Sequence, residues 1–259
     1  MTPLALEMRD TLVEPGTLAI WYLAQAGFCM KTSRGTRVVI DPYLSDYCGR
    51  EFGFKRMIPA VIGADELQAD VLISTHSHGD HLDPDALEAF AAHEPTRFVG
   101  SLDCEGVYAE HGVEADRCTL LRPGDRATFD DVTIRATYAD HGELCADAIG
   151  VTVEAEGLRI YNVGDSALRP DQMLPAVGGP VDVMIAPING AFGNLDAAEA
   201  CQLGALVRPR ILIAAHFWMF IEHGGDPGRF LEEARDLPEG IEAVVMAPGE
   251  QLVVRPRES

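Results

Sequence analysis

Short runs of hydrophobic residues, separated by Gly and Pro, recur along the whole chain. Leu18–Leu23, Gly27–Thr32 and Arg37–Ile40 have the length and residue types of strands. Val181–Ala186 and Ile211–Ala215 are continuously apolar, as expected for strands that are covered on both faces. The pattern therefore predicts β-sheets with buried central strands and argues against a helical bundle.

Further strands are predicted by the same criteria between these runs and after them. They cover Val71–Thr75, Thr119–Leu121, Ala127–Phe129, Val132–Thr137, Ile149–Glu154, Leu158–Asn162, Ala243–Ala247 and Gln251–Val254.

Helices are predicted between the strands from their capping residues. Asp83 before Pro84 is typical of an N-cap and first helical turn, and Asp196 with Glu199 forms a capping-box pattern. The predicted helices run from Pro84 to about Ala92, from about Ser101 to His111, from Asp196 to about Val207, and over Pro227–Arg235. Irregular alternation with the strands argues against an eightfold β/α barrel and predicts a layered α/β protein of two sheets with helices outside. Because no linker interrupts the pattern, we expect a single domain over residues 1–259.

Charge and hydropathy exclude several classes of partner. The formal net charge of −21 repels nucleic acid phosphates and anionic membrane surfaces. The longest apolar stretch, Ile211–Phe220, is much shorter than the roughly 20 residues that cross a bilayer. We therefore expect no nucleic acid and no membrane as partners, whereas a homo-oligomer is allowed.

The cysteines and the N-terminus indicate the compartment. Six cysteines are scattered without a CxxC pair, and no basic start followed by an apolar segment marks a secretion signal. We expect reduced thiols and a cytoplasmic protein, and a cysteine-based metal site is disfavoured.

The most informative segment follows the predicted strand Val71–Thr75. It contains His76, His78, Asp80 and His81, so three of the eight histidines lie within six residues. Imidazole and carboxylate are common ligands of Zn, Mn and Fe ions. In an extended chain the first two histidines point to the same side, and the glycine before Asp80 permits a turn toward a second point. This segment could begin two neighbouring metal sites.

Two ions need further ligands, and three candidates lie at the ends of predicted apolar strands. These are His141, Asp165 and His216. Ligands carried by several strand ends at one edge of a sheet are a common way for layered α/β folds to build sites.

In this order the residues resemble the pattern of the metallo-β-lactamase superfamily: a strand-end Asp, HxHxDH, a later His, an Asp and a final His. The matching positions are Asp41, His76, His78, Asp80, His81, His141, Asp165 and His216. The resemblance implies a four-layer αββα sandwich and two divalent metal ions, Zn or Mn, with Fe also accepted by such ligands.

The resemblance also implies roles for these residues. One ion would be held by His76, His78 and His141, and the other by Asp80, His81 and His216. Asp165 would bridge the two ions, and Asp41 would orient ligands by hydrogen bonds.

Several stretches resemble, more specifically, the L-ascorbate-6-phosphate lactonase-like branch of that superfamily. They are Val13–Thr17 leading into Ala19–Leu23, Gly112–Cys118, Arg122–Asp125 and Gly164–Ser166. This resemblance implies a lactone substrate.

The implied chemistry is hydrolysis. Two cations roughly 3.5–4 Å apart lower the pKa of a shared water and make hydroxide available at neutral pH. Asp80 and Asp165 are the expected catalytic carboxylates, Asp80 also orienting the hydroxide. No GxSxG elbow is present, so covalent catalysis is not favoured.

We therefore expect hydrolysis of a small anionic ester or lactone, such as a phosphorylated sugar lactone. A phosphodiesterase acting on a cyclic or nucleotide phosphodiester is an alternative, and a di-iron oxidoreductase on the same fold is another. A non-catalytic binding protein is disfavoured because every expected ligand position is filled.

Substrate contacts are expected from the loops around the metal edge. Lys55 and Arg56 could hold a phosphate or carboxylate, or could be a solvated surface pair. Asn189, in a segment rich in Gly and Asn, could line the pocket or belong to a plain turn. His223 could contact substrate or be a loop residue.

Overall fold

The computed structural model describes residues 1–256, which contain two sheets of seven strands each. The first sheet consists of β1 (Leu18–Ala24), β2 (Gly27–Lys31), β3 (Arg37–Ile40), β4 (Val71–Ser74), β5 (Arg97–Gly100), β6 (Cys118–Leu120) and β14 (Gln251–Val254). The second consists of β7 (Arg126–Phe129), β8 (Val132–Tyr138), β9 (Ile149–Ala155), β10 (Leu158–Asn162), β11 (Val183–Pro187), β12 (Ile211–Ala215) and β13 (Glu242–Val244). The predicted domain extends to residue 259, and its last three residues lie outside the described residues.

Both sheets change from antiparallel to parallel pairing across their width. The order of the first is β14-β1-β2-β3-β4-β5-β6, antiparallel as far as β3 and parallel from there to β6. The order of the second is β7-β8-β9-β10-β11-β12-β13, antiparallel as far as β10 and parallel from there to β13. Parallel strands present their carboxyl ends at the same edge. The segments that follow β4, β10 and β12 therefore begin at these edges.

Seven helices lie outside the sheets within the described residues. They are α1 (Pro3–Asp10), α2 (Tyr47–Phe52), α3 (Pro84–Ala92), α4 (Cys104–Glu110), α5 (Pro170–Val177), α6 (Ala197–Val207) and α7 (Pro227–Glu233). The predicted caps are confirmed: the Asp83 side chain accepts from the Asp85 backbone N–H at the start of α3, and Asp196 and Glu199 form the capping box of α6. A short 3₁₀ turn, Ala234–Asp236, continues the last predicted helix beyond α7.

Four elements were not predicted: β5, α1, α2 and α5. Three of them are short or weakly signalled, since β5 has four residues, α2 has six residues without a side-chain cap, and α5 contains an internal proline. The segment of α2 was expected to be loop. Two of its backbone N–H groups are held by side chains just before it: the Ser45 hydroxyl accepts from the Tyr47 N–H at 3.0 Å, and the Tyr43 hydroxyl accepts from the Cys48 N–H at 3.2 Å.

The core lies between the two sheets and confirms the αββα sandwich. Buried side chains of the first sheet, such as Ile20 and Ile73, share one hydrophobic cluster with Ile134 and Ile185 of the second. A separate cluster joins the outer face of the first sheet to α1, α3 and α4, while α5 and α6 contact β8 and β11 of the second. The fold therefore consists of helices, sheet, sheet and helices.

No helix within residues 1–256 is long and apolar enough to cross a membrane. The longest, α6, has 11 residues.

Candidate metal centre

Three histidines meet where β4 and β8 end. His76 follows β4 after Thr75, and its Nε2 lies 2.9 Å from Nδ1 of His78, two residues on. His141, just beyond β8, places Nε2 3.3 Å from the same nitrogen. One ring nitrogen from each of the three lies within 4.8 Å of the other two, which is a spacing that one ion could span. We refer to these three residues as the histidine group.

A second group contains Asp80, His216 and His223. The carboxylate Oδ2 of Asp80 lies 3.4 Å from Nε2 of His216 and 3.8 Å from Nδ1 of His223. The two imidazole rings stack with centroids 5.0 Å apart. Like the histidine group, these three residues could together hold one cation. His223 was expected near substrate, and the structure places its ring against the predicted ligand His216.

Asp165 lies between the two groups. Its Oδ1 is 3.4 Å from Nε2 of His81, and its Oδ2 is 3.3 Å from Nε2 of His216 and 3.9 Å from Nε2 of His141. His76, His81 and Asp165 form a further set of donors within 4.8 Å. The structure thus brings all seven predicted ligands together, with Asp165 in the central position that the superfamily resemblance implies.

Asp41 supports this arrangement from behind. It follows β3, is completely buried, and accepts hydrogen bonds from the Thr75 N–H and hydroxyl, each at 2.7 Å. Its Oδ2 also lies 2.9 Å from Nδ1 of His81. That contact orients the ring so that Nε2 faces Asp80 and Asp165, which is the arrangement expected of a residue that orients a ligand.

Gln25 and Asp103 support the centre and were not predicted. Gln25, buried in the turn between β1 and β2, places Nε2 2.7 Å from Oδ2 of Asp80 and 3.1 Å from Nε2 of His216. Asp103, just before α4, accepts from the Ser77 N–H at 2.8 Å and from the Cys145 thiol at 3.0 Å. A polar residue between two apolar strands was the only sequence signal for Gln25.

Asp103 connects both segments that supply the histidine group. Ser77 lies between His76 and His78, and Cys145 forms a β-bridge with His141. One carboxylate therefore fixes the relative position of two segments that are far apart in the chain.

The pKa values of the carboxyls reflect the nearby imidazoles. Burial alone would raise the pKa of Asp80, but His81 and His216 hold it well below its ordinary value. Burial acts in the same way on Asp165, and the same two histidines hold its pKa well below the usual range. Both carboxyls are therefore ionised.

The histidines divide into two kinds. Burial opposes protonation of His81 and His216, yet neighbouring carboxylates, Asp165 first, raise the pKa of His81 well above normal and that of His216 to about 9. Burial lowers the pKa values of His76 and His141, and it lowers the pKa of His223 to about 4 with help from His216. Without metal, the centre balances its carboxylates with protonated imidazoles.

The donor set fits divalent metal ions. Within the described residues, the buried Nε2 of His81 has no hydrogen-bond partner, although it faces Asp80 and Asp165. A cation between these groups would use that nitrogen and replace the protons that balance the carboxylates. The cluster of His and Asp side chains can therefore bind metal. His81 lies close to His76 and Asp165 on one side and to Asp80 on the other, so its Nε2 could serve as a ligand with either set of residues.

A cavity of about 480 Å³ opens above the centre. Its floor is formed by the centre, through His78, Asp80, His141, Asp165, His216 and His223. Its sides include Tyr47, Phe52, Phe54, Leu144, Phe192 and Asn194. The buried Asn194 donates from Nδ2 to Oδ2 of Asp165 at 2.7 Å, so it contacts both the floor and the side.

Three of the four expected substrate residues lie outside this cavity's lining. Lys55 is exposed, and Arg56 donates to the carbonyls of Ser45, Tyr43 and Ile58 at 2.5–2.9 Å. Asn189 donates to the Ala191 carbonyl at 3.3 Å, and the residues of that segment that line the cavity are Phe192 and Asn194. The fourth, His223, lines the cavity.

Comparison with known proteins agrees with this geometry. A family model described as a Beta-lactamase superfamily domain matches residues 19–216. A UPF0173 metal-dependent hydrolase of Thermus thermophilus is 32% identical over 230 residues, which are 85% of this chain and 92% of the relative.

Solved structures share the fold over most of the chain. Igni18, a metallo hydrolase from Ignicoccus hospitalis, has a TM-score of 0.74 and 22% identity, covering 93% of this chain and 100% of its own. An isothiocyanate hydrolase from Delia radicum gut bacteria has a TM-score of 0.72 and 19% identity, covering 90% of this chain and 98% of its own. On the family match and the curated relative, the chain belongs to the metallo-β-lactamase superfamily and, within it, to the UPF0173 metal-dependent hydrolases.

Proposed function

We propose that this metal-dependent hydrolase cleaves an ester or lactone with two divalent ions, Zn or Mn, bound in the centre. The observation that carries the proposal is the position of Asp165, whose two oxygens lie 3.3–3.9 Å from the imidazoles of His81, His141 and His216. Asp165 thus contacts His141 of the histidine group and His216 of the group that contains Asp80. A carboxylate in this position could serve two metal ions at once.

We assign the residues to the two ions as the superfamily resemblance implies. His76, His78 and His141 would hold one ion, while Asp80, His81 and His216 would hold the other, with Oδ2 of Asp80 3.6 Å from His81 and 3.4 Å from His216. Asp165 would contact both, with Asn194 keeping its Oδ2 in place and Asp41 keeping His81 in place.

When bound, such ions lower the pKa of a water and polarise the oxygen of the group under attack. We assign proton transfer to Oδ1 of Asp80. The contacts of this residue with Gln25, His81 and His216 all involve Oδ2, so Oδ1 can face a reacting water or leaving group. Gln25 fixes the carboxylate in this orientation.

The resemblance to the lactonase-like branch implies a phosphorylated sugar lactone as the substrate. The centre suits a lactone carbonyl, but a phosphate would also need a cationic partner. No Lys or Arg within residues 1–256 lines the cavity. We therefore propose the ester or lactone group alone, and comparison of 6-phosphogluconolactone with glucono-δ-lactone tests whether a phosphate is recognised.

The test begins with metal analysis of protein purified without chelator, followed by removal of metal and reconstitution with Zn, Mn or Fe. The reconstituted protein is then given γ-butyrolactone, glucono-δ-lactone, 6-phosphogluconolactone and bis(4-nitrophenyl) phosphate. We expect about two ions per chain and release of acid from at least one lactone, lost on chelation.

Other results would point to the alternative functions. Faster release of nitrophenol from the phosphodiester than of acid from any lactone would favour a phosphodiesterase. Bound iron with a visible charge-transfer band and reaction with oxygen would favour a di-iron oxidoreductase. Protein that binds none of the three metals would contradict every catalytic assignment.

A further inference from the structure

One side of the cavity is lined by aromatic and aliphatic side chains. We call this the aromatic wall, and it consists of Tyr47, Phe52, Phe54, Leu144 and Phe192. Its rings form a chain, with centroids 6.0 Å apart for Tyr47 and Phe52, 6.3 Å for Phe52 and Phe54, and 6.1 Å for Phe54 and Phe192. The four rings of the wall therefore form one continuous apolar surface.

The wall reaches the metal centre. The ring of His223 lies 5.6 Å from that of Phe54 and 5.1 Å from that of Phe192, while its Nδ1 faces Asp80. A substrate with its scissile group at the floor would thus lay its adjoining group against these rings.

Much of the wall is exposed to solvent. Phe52 is 58% exposed, Leu144 54% and Phe192 44%. Large apolar side chains exposed together beside polar groups indicate a surface that binds something apolar.

The charges around the cavity do not suit an anionic group. The nearby guanidinium of Arg50 binds both oxygens of Asp85, and that of Arg56 is occupied by three backbone carbonyls. Glu110 lines the cavity and adds negative charge. Within residues 1–256, a phosphate or carboxylate on the substrate would therefore find no Lys or Arg in the cavity lining, and His111 is the one lining histidine besides the predicted ligands and His223.

We propose that the group next to the scissile bond is uncharged and apolar, an alkyl or aryl group, and that it binds to the aromatic wall. This inference deepens the proposed hydrolase function and rests on it. It predicts that the enzyme selects neutral esters or lactones with a hydrophobic substituent over those that carry a phosphate or carboxylate.

The test compares two esters with the same leaving group and nearly the same acyl length. 4-Nitrophenyl butyrate ends in a methyl group, and 4-nitrophenyl hemisuccinate ends in a carboxylate. We expect kcat/KM of the metal-loaded enzyme to be at least about tenfold higher for the butyrate.

A charge placed in the wall should reverse this selectivity. In Phe192→Lys the ratio of the two kcat/KM values should shift toward the hemisuccinate by about tenfold or more, with metal content unchanged. The matched control is Leu231→Lys, on α7, because Leu231 is 47% exposed and lies outside the cavity lining. The control should keep the original ratio.

Binding to metal-free protein gives a readout that does not depend on catalysis. Saturation-transfer NMR should detect acetophenone, a neutral ketone, on the metal-free chain but not on the Phe54→Ala/Phe192→Ala double variant. Benzoate, the anionic probe of similar size, should bind more weakly than acetophenone.

Different results separate the two proposals. If neither ester is cleaved by fully loaded enzyme while acetophenone binds the wall, the ester-hydrolase proposal fails and the apolar subsite stands. Preference for the hemisuccinate, or no binding of acetophenone, would overturn the subsite. So would a change of oligomeric state in Phe192→Lys, measured by light scattering, because the wall would then be an interface between copies of the chain.

Discussion

The floor and the wall of the cavity are built in different ways. The floor comes from segments that directly follow strands of both sheets, and its ligands are almost all buried, with Asp165 and His216 only 5% and 1% exposed. The wall comes from α2 and from loops. Its side chains are more exposed to solvent, with Phe52 58% and Phe192 44% exposed. Strand ends fixed by a core hold ligands with little freedom, whereas loops can vary without changing the fold.

This difference separates reaction type from substrate choice. The buried donors decide whether a cation can bind, and with it the kind of chemistry. The exposed rings decide which molecule reaches the cation. Substitutions in the floor should therefore abolish metal binding and activity together, whereas substitutions in the wall should change the preference among substrates and leave metal content unchanged.

The largest effect is expected for Asp165→Asn in the centre of the floor. The change removes a negative charge that contacts three imidazoles. Loss of an outer partner of a metal ligand typically costs 10–100-fold in affinity or activity, so loss of this carboxylate should lower kcat/KM by more than about 100-fold. The metal content, measured by inductively coupled plasma mass spectrometry, should fall as well.

A matched control for this change is Asp171→Asn, an exposed position in the first turn of α5. It should retain metal and activity, and both variants should keep the far-ultraviolet circular dichroism of the folded protein. Full metal content in Asp165→Asn would show that this carboxylate is not part of the metal centre.

The floor was predictable from sequence because its signals are local. His76, His78, Asp80 and His81 occur within six residues after an apolar strand, and the later ligands each follow another such strand. The sandwich itself follows from the apolar runs, whose strand assignments are largely confirmed.

The residues that were missed act through contacts between distant parts of the chain. Gln25 contacts His216 across 191 positions, and Asp103 contacts Cys145 across 42. Within one segment, Asn194 rather than Asn189 reaches the cavity, because the β-bridge between Asn189 and Asp196 closes the loop that carries it. No spacing rule in the sequence encodes such pairings, since they depend on how the two sheets are packed.

A smaller effect is expected for Asp103→Ala, which removes support from the histidine group without removing a ligand. The Ser77 N–H and the Cys145 thiol would lose their acceptor, and the two segments could separate. We expect metal affinity to fall about tenfold, at the low end of effects for residues that orient ligands. Competition with a chelating dye would measure it.

Glu105→Ala provides the comparison for this change, because Glu105 is exposed in the first turn of α4, two residues after Asp103. Asp103→Ala should still bind metal at saturating concentration and then recover most of its kcat. Unchanged affinity in Asp103→Ala would assign this residue to folding alone.

His223 lies at the boundary between floor and wall, and His223→Phe shows to which side it belongs. Phenylalanine keeps the ring packing against Phe54 and Phe192 but removes the nitrogen 3.8 Å from Asp80. If His223 contributes to metal binding, affinity should fall by several-fold to about tenfold, by the same reasoning about residues around a metal. His93→Phe, whose ring contacts Thr96 instead, should have no effect.

The opposite result is equally informative for this position. Unchanged metal affinity with a raised KM for the neutral ester would place His223 in the wall, as a residue that contacts substrate. The position of its ring against His216 favours the first outcome.

The smallest effect on catalysis is expected for Arg56→Met, compared with Lys55→Met next to it. Arg56 holds the segment that carries α2 and Phe54 through hydrogen bonds to the Tyr43, Ser45 and Ile58 carbonyls. Removing them should lower the free energy of unfolding by about 2 kcal/mol, because polar groups inside the fold lose their partner. Urea denaturation would measure this loss, and Lys55→Met, at an exposed position, should stay within about 0.5 kcal/mol of the native protein.

The kinetics of the same pair distinguish support of the wall from recognition of charge. If Arg56 only fixes the backbone beneath α2, Arg56→Met should change KM for the butyrate and hemisuccinate esters by the same small factor, about two- to threefold. A cation that binds an anionic substrate would instead affect the hemisuccinate alone. A selective loss of that kind in either variant would restore the anionic substrate expected from the Lys-Arg pair and would mean that the wall does not decide selectivity.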